Sequence, residues 1–219
     1  MFTDLDHPDE IQPLDGLLAG YAAGTLGAPL HALVSAHLML KPDNREFVRS
    51  LEALMGQEVE MVTPVALGRR DEMLDRIFAM DAGTDRCRAP SADDLLPEPV
   101  SALVGEAYSA IRWKSVLPGI REYRVSNGQH GEASLLWIKP GKIMPSHTHG
   151  GSEVTLVLKG GFTDSTGHYR RGDIAIADSE VDHRPRADDD EDCICFAVSE
   201  APLRLTGPFA RFVRRVFGQ

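Results

Sequence analysis

Apolar positions recur every three to four residues through the first eighty residues and every second residue beyond about residue 100. The first period predicts helices and the second predicts strands. Pro13-Leu14 opens a segment with Leu14, Leu17, Leu18 and Tyr21 on one face, closing around Gly24 and Gly27. Pro29 suits the first turn of a second helix, in which Leu30, Leu33, Val34, His37 and Leu38 form the stripe. Lys41-Pro42 ends it, because proline disfavours helix for the residue before it. Asp43 reads as an N-cap with Glu46 as the other half of a capping box, and the third helix then directs Phe47, Leu51, Leu54 and Met55 to the core. A fourth segment, from Pro64 to about Met80, carries Met73, Leu74, Ile77 and Phe78 opposite Arg69, Arg70, Asp71 and Asp75. Four short helices make a thin core, which leaves at least one apolar face for a partner.

From Asp81 to Pro99 the texture changes to Gly83, Pro90, Asp93, Asp94, Pro97 and Pro99 with few large apolar residues, the composition of a linker of intermediate stiffness. Beyond it, Arg112–Leu117, Ile120–Ser126, Ala133–Ile138, Glu153–Phe162, Tyr169–Ala177 and Cys193–Ser199 alternate as strands, several separated by turn signals such as Asn127-Gly128 and Thr166-Gly167. The chain therefore reads as an α+β multidomain protein: a small helical bundle over residues 1–80, a linker over 81–99, and a small barrel or jelly roll over 100–219. The tail from Pro208 to Gln219 spaces Phe209, Phe212, Val213, Val216 and Phe217 as a helix that caps the barrel or makes a dimer contact, with a membrane-surface helix as the alternative.

The chain has 219 residues, enough for two small domains, and a hydrophobic fraction of 42%. Its net charge of -10 argues against nucleic acid as a direct partner and suits a partner with a basic surface. Three cysteines (Cys87, Cys193, Cys195) are too few and too awkwardly placed for a disulfide framework. The acidic N-terminus lacks a signal-peptide pattern and no apolar run is long enough to span a membrane, so a cytoplasmic protein is expected.

The chemistry concentrates in Gly141–Gly160, GKIMPSHTHGGSEVTLVLKG. His147 and His149 lie two apart, so on an extended strand they share a face, and Glu153 follows four residues later. His183 is a fourth candidate, after Gly172-Asp173-Ile174-Ala175-Ile176. Three imidazoles and one carboxylate converging inside a barrel would hold a divalent transition metal: zinc, iron, manganese or nickel. The spacing G-x5-H-x-H-x3-E-x6-G resembles the first signature motif of the cupin superfamily with no position out of register. The second cupin motif fits from Gly172 to His183 in spacing, with Asp178, Glu180 and Ala187 replacing its Pro, Gly and Asn. The resemblance implies that His147, His149, Glu153 and His183 are the ligands. Cys193 and Cys195 also share a face of their strand, either as small core residues or as oxidisable sensors near the metal.

Three further stretches, LLAGYAAGTLG from Leu17 to Gly27, LLWI from Leu135 to Ile138, and DCICF followed by APLRL, extend the likeness over nearly the whole chain. Together they resemble the ChrR family of anti-sigma factors. That resemblance implies an N-terminal domain that grips an extracytoplasmic-function sigma factor and a cupin that senses singlet oxygen or related oxidative stress, and it tilts the metal towards zinc. The family's N-terminal zinc site uses an upstream histidine plus His-x3-Cys-x2-Cys, whereas here the register runs His37, Lys41, Asn44, with Gln12 near the upstream place and His7 as the nearby alternative. A protonated lysine cannot serve as a soft ligand. This domain is therefore expected to fold without zinc, with His37 a core histidine bonded to Gln12 or Asn44. The competing reading is a metal-dependent, dioxygenase-like cupin enzyme with an appended helical domain. No general acid, base or nucleophile stands out beyond the metal ligands, which favours sensing over turnover. Homodimerisation through barrel edges is compatible with either. Elemental analysis of the purified chain is expected to return one metal per chain; two would refute the loss of the N-terminal site.

Overall fold

The structure is a computed structural model that describes residues 13–80, 95–128, 131–179, 182–201 and 203–206. Among the described residues before 81 there are four helices: α1 Pro13–Ala22, α2 Ala28–Leu40, α3 Arg45–Glu60 and α4 Arg70–Ala79. Pro29 occupies the first turn of α2, and Lys41 leaves it in an extended conformation. The expected linker region ends in a fifth helix, α5, Glu98–Val104, which packs on α2; residues 81–94 lie outside the described residues.

Two local expectations need correction. The capping box at Asp43 is absent: Pro42–Asn44 form a turn of 3-10 helix, and Asn44, the residue before α3, makes no side-chain cap. Its amide is instead turned back to His37, so the tertiary contact outcompetes the cap. The third helix also directs less to the core than its stripe suggests. Val48 is its buried residue, whereas Phe47, Leu54 and Met55 stay largely exposed. α1 packs along α3, but α3 extends past it and α4 offers no cover.

The described residues of the second half carry eleven strands: β1 Lys114–Leu117, β2 Ile120–Gly128, β3 Gly131–Ile138, β4 His147–His149, β5 Glu153–Lys159, β6 Gly161–Thr163, β7 His168–Arg170, β8 Ile174–Ala177, β9 Arg186–Ala187, β10 Cys193–Ser199 and β11 Leu203–Leu205. The main sheet runs β1-β2-β3-β10-β5-β8, all antiparallel, and faces the smaller sheets β11-β4 and β7-β6-β9. This is the jelly-roll arrangement of a cupin, joined to helices in an α+β chain. Two predicted strands each divide at a glycine, β5 from β6 at Gly160 and β7 from β8 at Gly172. Both residues have φ in the left-handed region, +64° and +89°. At Gly160 a Cβ would lie 2.7 Å from the Asp192 carbonyl oxygen, so the corner tolerates no side chain.

The alternation of the central strands sorts two apolar layers. Leu135 of β3, Leu156 and Leu158 of β5, and Ile194 and Phe196 of β10 point outward, into one cluster with Leu18 of α1, Leu33 and Val34 of α2, and Val100 of α5. Val157 of β5 with Cys193 and Cys195 of β10 point inward, with Ile120, Ile138 and Phe162. Helices α1 and α2 thus cover the outer face of the barrel, against β8, β5 and β10. Leu156→Ala is expected to destabilise the chain by about 2–5 kcal/mol and to shift the helical and strand signals together in a urea titration. A loss confined to one signal would contradict a shared core.

Candidate metal centre

The inward positions of β5 bring Glu153 and Thr155 to the cavity, and β10 adds Ser199. His147 at the start of β4 and His183 form an isolated antiparallel bridge, bonded N–H to C=O in both directions at 3.1 Å. That pairing brings two imidazoles thirty-six residues apart to a ring separation of 4.4 Å. The ligand atoms of His147, Glu153 and His183 all lie within 4.8 Å of one another. The side chain of His149 lies outside the described residues; its backbone belongs to β4 beside β11.

Hydrogen bonds select the tautomers. His147 Nδ1–H donates to the Pro145 carbonyl at 2.8 Å, and His183 Nδ1–H donates to the Asp164 carboxylate at 2.9 Å. Both Nε2 atoms then present lone pairs, and they face each other at 2.9 Å. Two lone pairs at that separation repel unless a cation or a shared proton lies between them. Glu153 supplies negative charge alongside, held by the Ser199 hydroxyl at 2.9 Å and the Thr155 hydroxyl at 3.3 Å. The donor set therefore fits a divalent transition metal, which would act as a Lewis acid towards a molecule entering the cavity.

Asp164 escaped the sequence reading. Its side chain is only 2% exposed. One carboxylate oxygen accepts from the Thr166 N–H, the Thr166 hydroxyl and the Gly167 N–H; the other takes His183. Burial pushes this carboxyl up, but bonds from Thr166 and His183 outweigh it and hold the group below its ordinary value. The D-S-T-G turn was visible in the sequence, yet only the fold turns its spare oxygen to the histidine.

The cavity beside the centre measures about 340 Å³ and is walled largely by apolar side chains, among them Val116, Leu136, Met144, Phe162 and Cys195. Cys193 and Cys195 are buried, with their sulfurs 3.6 Å apart. The neighbouring Cys193 thiol, burial and the charge of Glu153 hold the Cys195 thiol well above its ordinary range. Cys195 is therefore a neutral thiol, poor as a nucleophile.

His37, Lys41 and Asn44 lie apart from this centre, at the end of α2. His37 is buried, receives the Asn44 amide at 2.9 Å and donates from Nδ1 to the Gly172 carbonyl at 2.6 Å. Burial lowers its basicity. Gln12 and His7 lie outside the described residues.

A family model described as the ChrR cupin-like domain matches residues 103–202, a span that contains all four candidate ligands. Anti-sigma-E factor ChrR of Cereibacter sphaeroides is 38% identical over 208 residues, which is 93% of this chain and 95% of that protein. The chain belongs to the ChrR family of anti-sigma factors. A solved structure of Rhodobacter sphaeroides SigE in complex with the anti-sigma ChrR matches this ChrR-family chain with a TM-score of 0.72 and 36% identity, covering 84% of this chain and 96% of that one. The likeness therefore includes helices as well as barrel. Asp164→Asn is expected to weaken binding of a divalent transition metal by about 10–100-fold in a chelator competition, because His183 loses the partner that orients it. An unchanged affinity would remove Asp164 from the centre.

Proposed function

We propose that this chain is a cytoplasmic anti-sigma factor whose helices hold an extracytoplasmic-function sigma factor and whose cupin reads a chemical signal at a zinc centre formed by His147, His149, Glu153 and His183. The observation that carries the partner is the uncovered apolar surface of α3, α4 and their connection. Val59 is 70% exposed, Val65 89% and Phe78 80%, with Leu54, Met61, Leu67 and Ile77 also open. No residue of α4 is buried. So many large apolar side chains left open on three successive segments mark an interaction site, and the net charge of -10 suits a partner with a basic face. The similarity to a ChrR captured with SigE supports the same partner class here.

The signal is best placed at the metal. An oxidant of the singlet-oxygen type, or a small product of it, would enter the apolar cavity and alter the ligand set. Cys195 lines that cavity. With its thiol held neutral, it serves as a wall of the site rather than as a thiolate sensor. A change at the centre would then shift the balance between sigma-holding and sigma-releasing forms.

Pairing Ile77→Asp with Phe78→Asp is expected to weaken capture of the cognate sigma factor by roughly 30-fold or more while leaving thermal stability unchanged, since both side chains are exposed. Undiminished capture under reducing conditions would place the partner elsewhere.

A further inference from the structure

The degenerate positions at the end of α2 all engage the cupin or support a residue that does. His37 donates to the Gly172 carbonyl at 2.6 Å, Lys41 pairs with the Asp173 carboxylate, and Asn44 holds the other side of the His37 ring at 2.9 Å. One side chain bridges two domains here because Gly172 has none: a Cβ at that position would meet Lys41 Cγ at 3.0 Å and Leu40 Cβ at 3.2 Å. The glycine's φ of +89° is also one that residues with a Cβ rarely adopt. Asn44 has a direct part, because its amide donor fixes the neutral His37 tautomer whose Nδ1 carries the hydrogen.

The receiving turn is tied to the strand that carries a metal-centre residue. Gly172 N–H donates to the Val157 carbonyl at 2.8 Å, and Val157 N–H donates to the Asp173 carbonyl at 3.0 Å. Arg170 N–H and the second Asp173 oxygen close the turn at 2.8 Å. Val157 lies four residues along β5 from Glu153, and β8 pairs back along β5 so that Ala177 stands opposite Glu153. The latched turn and the carboxylate of the centre therefore sit at two ends of one hydrogen-bonded pair of strands.

We propose that His37, Lys41 and Asn44 form an interdomain latch on the Gly172–Asp173 turn, occupying the positions of a lost metal clamp, and that occupancy of the cupin metal centre sets whether the latch is closed. The latch itself stands on these contacts alone. Its coupling to the metal centre rests on the cupin being a sensor, as proposed above. The two contacts that reach the turn, from His37 and Lys41, are short-ranged, so a small displacement of the turn breaks both together and loosens the end of α2, while Leu33 and Val34 keep the helix on the barrel. Because Pro42–Asn44 lead directly from the end of α2 into α3, opening would loosen the start of the helix that offers part of the apolar surface, with α1, α2 and α5 still packed on the barrel.

A zero-length carbodiimide cross-link tests this in the full chain, since it joins only an ammonium and a carboxylate already in contact. In zinc-loaded protein the Lys41–Asp173 peptide pair is expected by mass spectrometry, with a yield that falls about fivefold or more when zinc is chelated. Exchanging the charges by combining Lys41→Glu with Asp173→Lys is expected to restore a link between the same two positions, whereas Lys41→Glu alone abolishes it. No link in zinc-loaded protein overturns the latch, and equal yields with and without zinc overturn the coupling. Sigma-factor capture is read on the same samples. Failure of the unmodified chain to capture a sigma factor, with the link still zinc-dependent, overturns the anti-sigma reading and leaves the latch standing.

Discussion

Strands β5 and β10 are buried on both faces, and the rest of the molecule follows from that constraint. An antiparallel strand normally alternates a buried with a solvated face, but here nearly every position from Val154 to Leu158 and from Cys193 to Val198 is withdrawn from water. One face fills the barrel. The other needs a second layer, which α1, α2 and α5 provide through Leu18, Leu33, Val34 and Val100. Burying apolar surface at about 25 cal/mol per Å² makes this outer layer a substantial share of the stability. The helices are therefore part of the barrel's core rather than a module loosely tethered to it.

Within the barrel the same alternation decides the chemistry. Glu153 and Thr155 share the inner face of β5, and Ser199 reaches Glu153 from β10. His147 and His183 come from short bridging segments outside the main sheet, where backbone pairing sets their ring positions. Both spend Nδ1 on an oxygen acceptor, so Nε2 is left to point inward. The apolar wall around them lowers the local dielectric and strengthens attraction between the ligands and a cation.

The helical half divides its labour. α1 and α2 pack on the barrel and α3 packs on α1, while α4 and the segment before it keep their apolar residues in solvent. A surface that stays open despite its cost implies a partner. The contacts of His37 and Lys41 with the Gly172–Asp173 turn lie where these two roles meet. They join the end of α2 to the barrel by side chain to backbone and side chain to side chain contact, which is where the proposed coupling would pass.

Local patterning determined much of this protein. The shift from a period near 3.6 to a period of two marked helices and strands, Pro29 and Lys41-Pro42 bounded α2, and the spacing of His147, Glu153 and His183 marked three residues that the fold brings together. Such features depend on neighbours along the chain, and spacing records them. Tertiary structure decided the rest. The outward exposure of Phe47, Leu54 and Met55 and the missing cap at Asp43 depend on how the helices pack, and the role of Asp164 and the docking of His37 on Gly172 each depend on a residue distant in sequence. A stripe of apolar residues says that a face will be covered, not by what. A histidine in a vacated metal register says that a buried imidazole needs partners, and only packing chooses them.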